Sequence, residues 1–193
     1  GFENLFRTDE NFRYFLQRYE YFIPDVADTL AYCLMPNHIH FLIRIKNEEE
    51  IVSKFQSSKV SSPTQTNLGG LDEPEKRISQ QFSNLFNSYT KSFNKMYSRR
   101  GSLFIPNFKR KEITDDSYFT HLIHYIHANP VHHGFVKNLN HWRWSSFGDI
   151  LNDEPSLVKR KEIIDWFGNK EEFIRFHNRP VDVRHQIEMH ILG

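Results

Sequence analysis

The sequence contains a single cysteine, Cys33, among 193 residues. A lone cysteine excludes an internal disulfide framework and any Cys-rich zinc site. No apolar run approaches the length of a membrane-spanning helix, and the first residues lack the pattern of a signal peptide. A cytoplasmic protein is the expectation. Net charge is only +1 at pH 7, so bulk charge does not announce a nucleic-acid binder. Glycine and proline are not in excess, at eight each, while Phe, Tyr and Trp number 18, 8 and 3; disorder is thereby excluded. The length suits one domain with a real core plus an appendage.

Charge is informative in its distribution. Between Lys76 and Lys111 there are nine Lys or Arg and no Asp or Glu, whereas acid gathers elsewhere, as at Glu48, Glu49 and Glu50. One-sided segments of this kind form electrostatic footprints for phosphate. A solvated basic face explains them equally well.

Apolar residues at spacings of three and four (Phe12, Phe15, Leu16, Tyr19, Phe22 and Ile23) predict a helix over 8–23. Thr8 or Asp9 would cap it and Pro24 end it. Two strands follow, 29–34 and 39–46, joined at Met35-Pro36-Asn37 as a hairpin. On the second strand His38, His40, Leu42 and Arg44 share one face. Ile39, Phe41, Ile43 and Ile45 share the other, the expected core face. Residues 56–76 are rich in Ser, Thr, Gln, Gly and Pro and read as a mobile loop. A second helix is expected over 77–98, with Ile78, Phe82, Leu85, Phe86, Tyr89, Phe93 and Met96 as its apolar stripe. A strand-like piece, 102–108, comes next. The third helix runs from about 114 to 128, stopped by Pro130. Phe119, Leu122, Ile123 and Ile126 form its buried stripe; Tyr118, His121, Tyr125 and Asn129 lie on another face. One or two short helices fill 159–178, around Ile163, Ile164, Trp166, Phe167, Phe173 and Phe176. The expected division is a domain over 1–150 and a small C-terminal helical appendage over 151–193.

His38-Ile39-His40 is the sharpest local feature. Strand alternation sends both imidazoles to one side, close enough to share a cation. A His-x-His pair is also a common ornament of wet strand faces, and two ligands do not complete a site. Tyr125 and Asn129 stand four residues apart on one helix face. A tyrosine hydroxyl, with a pKa near 10, is a poor nucleophile at neutral pH. It can attack a phosphodiester when a cation polarises the phosphate. The Asn129 carboxamide oxygen could complete the metal shell beside it. Taken singly, Tyr125 would be an ordinary half-buried helix tyrosine and Asn129 a helix C-terminal residue.

Together these segments resemble a known family. Leu34-Met35-Pro36-Asn37-His38-Ile39-His40-Phe41-Leu42-Ile43 looks like the signature strand of the single-tyrosine HUH transposases. Tyr125-Ile126-His127-Ala128-Asn129-Pro130-Val131, with Gly134 and Val136, is similar to the tyrosine helix of their REP-associated branch. Gly101-Ser102-Leu103-Phe104, Phe108-Lys109 and Trp142-Arg143-Trp144-Ser145-Ser146 match further parts of that pattern. The resemblance covers about residues 2–150, with a weaker echo over 160–176, and its specificity lies in the ordered combination. It departs in two places: the family has a strand ahead of the first helix, where this chain starts at Gly1-Phe2-Glu3, and the 56–76 insertion is longer than the pattern.

The resemblance implies an α+β, ferredoxin-like fold, an antiparallel sheet flanked by helices. It implies His38 and His40 as metal ligands, Asn129 in the third ligand's position and Tyr125 as nucleophile, with Mg²⁺ or Mn²⁺ as the metal. The implied reaction cuts and rejoins single-stranded, hairpin-containing repeat DNA through a 5′-phosphotyrosine. Lys91, Lys95, Arg99, Arg100, Lys109, Arg110 and Lys111 are phosphate-contact candidates. Trp142 and Arg143 are candidates for contact with unpaired bases, while Trp144 is expected in the core. His121, His124 and His127 could shuttle protons near Tyr125, but helix histidines are more often surface residues, and that is the expectation. Two rivals stand beside this reading. One is a non-catalytic hairpin DNA or RNA-binding module of the same fold. The other is a small zinc hydrolase, which needs a third protein ligand and an open site. A monomer suffices if Tyr125 and the histidines act in one chain; exchanged helices require a homodimer.

Overall fold

The computed structural model describes residues 3–59, 74–105, 110–115 and 118–180. Its elements run α1 (Asp9–Phe22), β1 (Ala27–Met35), β2 (His38–Ile45), α2 (Glu48–Lys59), α3 (Pro74–Met96), α4 (Phe119–His132), α5 (Ser146–Leu151), α6 (Arg160–Phe167) and α7 (Lys170–His177). A 3-10 turn, Leu139–His141, precedes α5. The class is α+β, as expected. β1 and β2 pair antiparallel in a two-stranded sheet. Beyond it, isolated bridges join Thr29 to Val158 and Cys33 to Ser145.

The described residues form no further strand. The piece expected over 102–108 is irregular as far as residue 105, and 106–108 lie outside the described residues. Its carbonyls are spent on side chains instead. Gly101 O accepts from Asn94 Nδ2 at 2.8 Å and Ser102 O from Arg99 at 2.8 Å.

The chain divides into two units. One comprises Arg13–Asp28 and Arg44–Ser102. Its core is built from the later turns of α1 and one face of α3. Phe15, Tyr19 and Ile23 are buried, as are Phe82, Leu85, Tyr89 and Phe93. Tyr89 meets Phe15 edge to face at 5.2 Å. Burial of each such side chain contributes about 1.5–3 kcal/mol. Met96, expected in the stripe, is 54% exposed in the helix's last turn. Helix α2 corrects the expected loop over 56–76. It runs to Lys59, α3 already begins at Pro74, and 60–73 lie outside the described residues. The start of α2 is a reciprocal cap: Asn47 Oδ1 accepts from Glu50 N at 2.9 Å, and Glu50 Oε2 accepts from Asn47 N at 3.2 Å. Glu48, Glu49 and Glu50 suit the positive end of the helix dipole.

The other unit comprises Gly1–Phe12, Thr29–Ile43 and Leu103–Gly193. Here β1 is buried almost throughout, and α4 is buried from Leu122 to Pro130 without interruption. Phe12 stacks on Phe6 at 4.3 Å and on Trp144 at 4.8 Å. Ile163 and Phe173 bring α6 and α7 into the same core, while Trp166, expected there, stays 41% exposed.

Two expectations near the site need correction. On β2 the buried residue is Leu42, on the histidine face. Ile39, Phe41 and Ile43 are only half-buried and Ile45 is 43% exposed. With one strand as partner, β2 does not cover an apolar layer of its own. Nor does Pro130 stop α4, which continues to His132. Proline forfeits a single N–H bond and sits in the last turn, where the loss is small. What ends the helix is Gly134, at φ +73°. Gly134 N donates to Val131 O at 3.0 Å and Phe135 N to Pro130 O at 2.9 Å, the two bonds of a Schellman closure.

Candidate functional site

His38 and His40 leave β2 on one face, with ring centroids 5.1 Å apart. Asn37 Oδ1 lies 2.8 Å from His38 Nδ1. An amide oxygen only accepts, so Nδ1 carries the hydrogen and the lone pair sits on Nε2, the tautomer a metal ligand needs.

Helix α4 brings Tyr125 to this pair. Its ring centroid is 6.2 Å from that of His40 and 6.2 Å from that of His132. Asn129, one turn later, donates its amide nitrogen to Tyr125 O at 2.9 Å. That bond occupies the nitrogen and leaves the carboxamide oxygen as the atom suited to a cation. Both residues are more enclosed than a half-buried helix face predicts: Tyr125 is 2% exposed and Asn129 1%. Burial raises the phenol above its ordinary value near 10, and a hydrogen bond from the Asn129 side chain opposes the rise. At neutral pH the phenol therefore keeps its proton unless something stabilises the oxyanion.

The donor set decides which cation fits. Among the described residues, no group of three His, Cys, Asp or Glu side chains could hold a metal ion. A zinc hydrolase draws on such a set. Two imidazoles are borderline ligands and an amide oxygen a hard one, so this set lacks the third His, Cys or carboxylate of a zinc site and would be completed by phosphate oxygens.

The basic candidates divide between the two units. Lys91, Lys95 and Arg100 are exposed on or just after α3. Arg99 is half-buried and closes the end of that helix, donating to Asn94 Oδ1, Gly101 O and Ser102 O. Arg110 and Lys111 are exposed in the unit that holds the histidines. Lys109 lies outside the described residues. Trp142 is half-buried, its indole N–H donating to Leu34 O at 3.0 Å. Arg143 is exposed, pairs with Asp9 at 3.1 Å and lies over the Trp144 ring at 4.7 Å. Trp144 is core, as expected.

The helix histidines are not surface residues. His121 is half-buried, and His124 and His127 are 3% and 0% exposed. His177 Nδ1 lies 2.8 Å from Phe173 O, a carbonyl that can only accept. Nδ1 therefore donates, and His177 Nε2 must accept from His127 Nδ1 at 2.9 Å. His127 Nε2 then accepts from Ser146 Oγ at 2.7 Å, and Ser146 Oγ accepts from Tyr32 N at 2.9 Å. This relay ties α4, α5, α7 and β1 together through His127, two residues from Tyr125. Sequence reasoning missed it, because its members are 19 to 114 residues apart. It also missed His133, whose ring lies 5.0 Å from that of His38.

A His-x-His strand set against a helix tyrosine with an amide one turn on is the arrangement that the sequence resemblance implies. Comparison with known proteins finds relatives with names of the same kind. A *Haemophilus influenzae* protein with the provisional name REP-associated tyrosine transposase is 26% identical over 147 residues, 75% of this chain and 69% of its own. The REP-associated tyrosine transposase of *Escherichia coli* K12 is 31% identical over 68 residues, 35% of this chain and 38% of its own. The chain is thus similar to proteins named REP-associated tyrosine transposases, the family that its motifs resemble. A solved REP-associated tyrosine transposase bound to a REP hairpin aligns with a TM-score of 0.45 and 17% identity, over 74% of this chain and 66% of that one. A likeness at that level carries neither fold detail nor function across. No family model matches the chain.

Proposed function

We infer that this protein is a divalent-metal-dependent enzyme that nicks and rejoins single-stranded DNA, with Tyr125 as nucleophile. The observation that carries the reading is the meeting of two sequence-distant motifs, with the Tyr125 ring 6.2 Å from that of His40 and Asn129 one helical turn on, its amide nitrogen on Tyr125 O. His38, His40 and the Asn129 oxygen would hold Mg²⁺ or Mn²⁺. When bound, the ion polarises the scissile phosphate and offsets negative charge. The Tyr125 oxygen loses its proton and forms a bond to phosphorus. The bond from phosphorus to the 3′ oxygen breaks, and that oxygen takes up a proton to leave as a 3′-hydroxyl. A 5′-phosphotyrosine results, and the reverse reaction rejoins the strand without an external energy source. The names of the relatives, with the motifs that resemble their family, support a repeat-DNA strand with a hairpin as substrate. Arg110, Lys111 and Arg143, in the unit that holds the histidines, supply cations for its phosphates.

A second reading is favoured by one fact, the 2% exposure of Tyr125. A hairpin-binding module of the same ancestry would keep that phenol as a packing residue. A covalent-adduct assay separates the two. Labelled single-stranded hairpins incubated with Mn²⁺ should yield a protein–DNA band that survives denaturation and vanishes in Tyr125→Phe, with binding retained. Binding without any adduct across a diverse hairpin pool would establish the binding module instead.

A further inference from the structure

We propose that Phe135, with His133 and Trp142, forms a stacking track for the unpaired bases beside the phosphate held at His38 and His40. This rests on the single-stranded DNA reading above and adds to it the surface that would receive the bases.

The track is continuous. The His133 ring stands 5.0 Å from His38. Phe135 lies 6.4 Å beyond His133 with the rings 29° apart, and Trp142 lies 5.5 Å from Phe135 at 33°. The His133 and Phe135 rings stack and the Trp142 ring is tilted against Phe135, so aromatic rings follow one another away from the histidine pair. The track is also exposed where it must be. Phe135 is a large apolar side chain with 43% of its surface exposed, so its ring is within reach of a ligand.

Rigidity is the third argument. Phe135 follows directly on the Schellman closure of α4, and its own N–H bond to Pro130 O fixes where it leaves the helix. Trp142 is held by its bond to Leu34 O. One helix therefore carries Tyr125 and Asn129 and, at its end, two of the three rings. Aromatic faces accept any base, because every base has a π-face. Exposed Lys137, two residues past Phe135, places a cation for the backbone beside the rings. Unpaired bases fit this combination better than an apolar protein segment, which would leave Lys137 without a counterpart.

The test uses the full chain and a short oligothymidylate carrying fluorescein and a single 2-aminopurine. Wild type should quench the 2-aminopurine on binding. Phe135→Ala should weaken binding by about tenfold, within the range for one lost stacking contact, and abolish the quench. Phe135→Trp should restore both and Phe135→Leu neither, which separates stacking from apolar bulk. Unchanged affinity and quench in Phe135→Ala, or full rescue by Leu, overturns the track. So does a wild type that binds the oligonucleotide without quenching at any position of the 2-aminopurine, or that does not bind it. The adduct assay run on the same proteins keeps the two readings apart. Quench loss without any adduct leaves the track standing and removes nicking, and an adduct with a Phe135-independent quench does the reverse.

Discussion

His38 illustrates how a neighbour sets the chemistry of one side chain. Asn37 fixes its tautomer, so Nε2 presents a lone pair before any ion arrives. Tyr125 is the opposite case, since its surroundings make the phenol harder to ionise. A nucleophile so placed depends on the cation beside it. His38→Ala and His40→Ala are therefore each expected to reduce adduct formation by more than about a hundredfold, the effect of losing several kcal/mol of charge stabilisation. Oligonucleotide binding should persist in both. The check is a paired measurement, adduct yield against Mn²⁺ concentration and fluorescence anisotropy. A variant with wild-type yield at every Mn²⁺ concentration would remove that histidine from the metal site.

At the level of elements, α4 decides the site, and its end is set by Gly134 rather than Pro130. A Cβ added at Gly134 meets nothing within 4 Å, so Gly134→Ala tests backbone conformation alone. At φ +73° an L-residue costs about 1–2 kcal/mol. The expected fall in melting temperature is a few degrees, roughly 2–4 °C per kcal/mol for a chain of this size; an unchanged melting curve would show that the helix ends without a left-handed residue. This glycine was legible in His133-Gly134-Phe135, where a glycine follows the last helical residue. Proline drew the reading earlier because it is the stronger breaker in a helix interior. Strand β2 and helices α1, α3, α6 and α7 were legible from the spacing of their apolar residues, and β1 as a short, nearly continuous apolar run. Helix α2 was not: its core contact is essentially Ile51, and only the Asn47–Glu50 cap announced it. The His pair and Tyr125 were legible as motifs. The relay through Ser146, His127 and His177 was not, since nothing local records that buried imidazoles will meet across such separations.

Across the whole molecule, three buried neutral histidines couple stability to pH. Burial pushes His177 down to about 3 and His124 to about 4, with His121, His132 and Arg179 adding repulsion at His124. His127 is lowered well below its ordinary value, by burial first and then by His177 and His124. In the unfolded chain each titrates near 6.5. Below that pH the unfolded state binds more protons than the folded one, so stability rises with pH there and levels off above about 7. The contribution is thus fully present above 6.5 and is lost as pH falls towards the folded values. Each histidine that stays neutral removes about 1.4 kcal/mol per pH unit over that window. Urea midpoints should accordingly fall from about pH 7 to about pH 5, a range in which ordinary carboxylates, with pKa near 4, remain mostly ionised. His177→Gln removes one titrating ring and its bond to Phe173. It is expected to lower the midpoint at neutral pH and to flatten the decline below it. A variant as steep as wild type would mean that the acid sensitivity arises outside the relay.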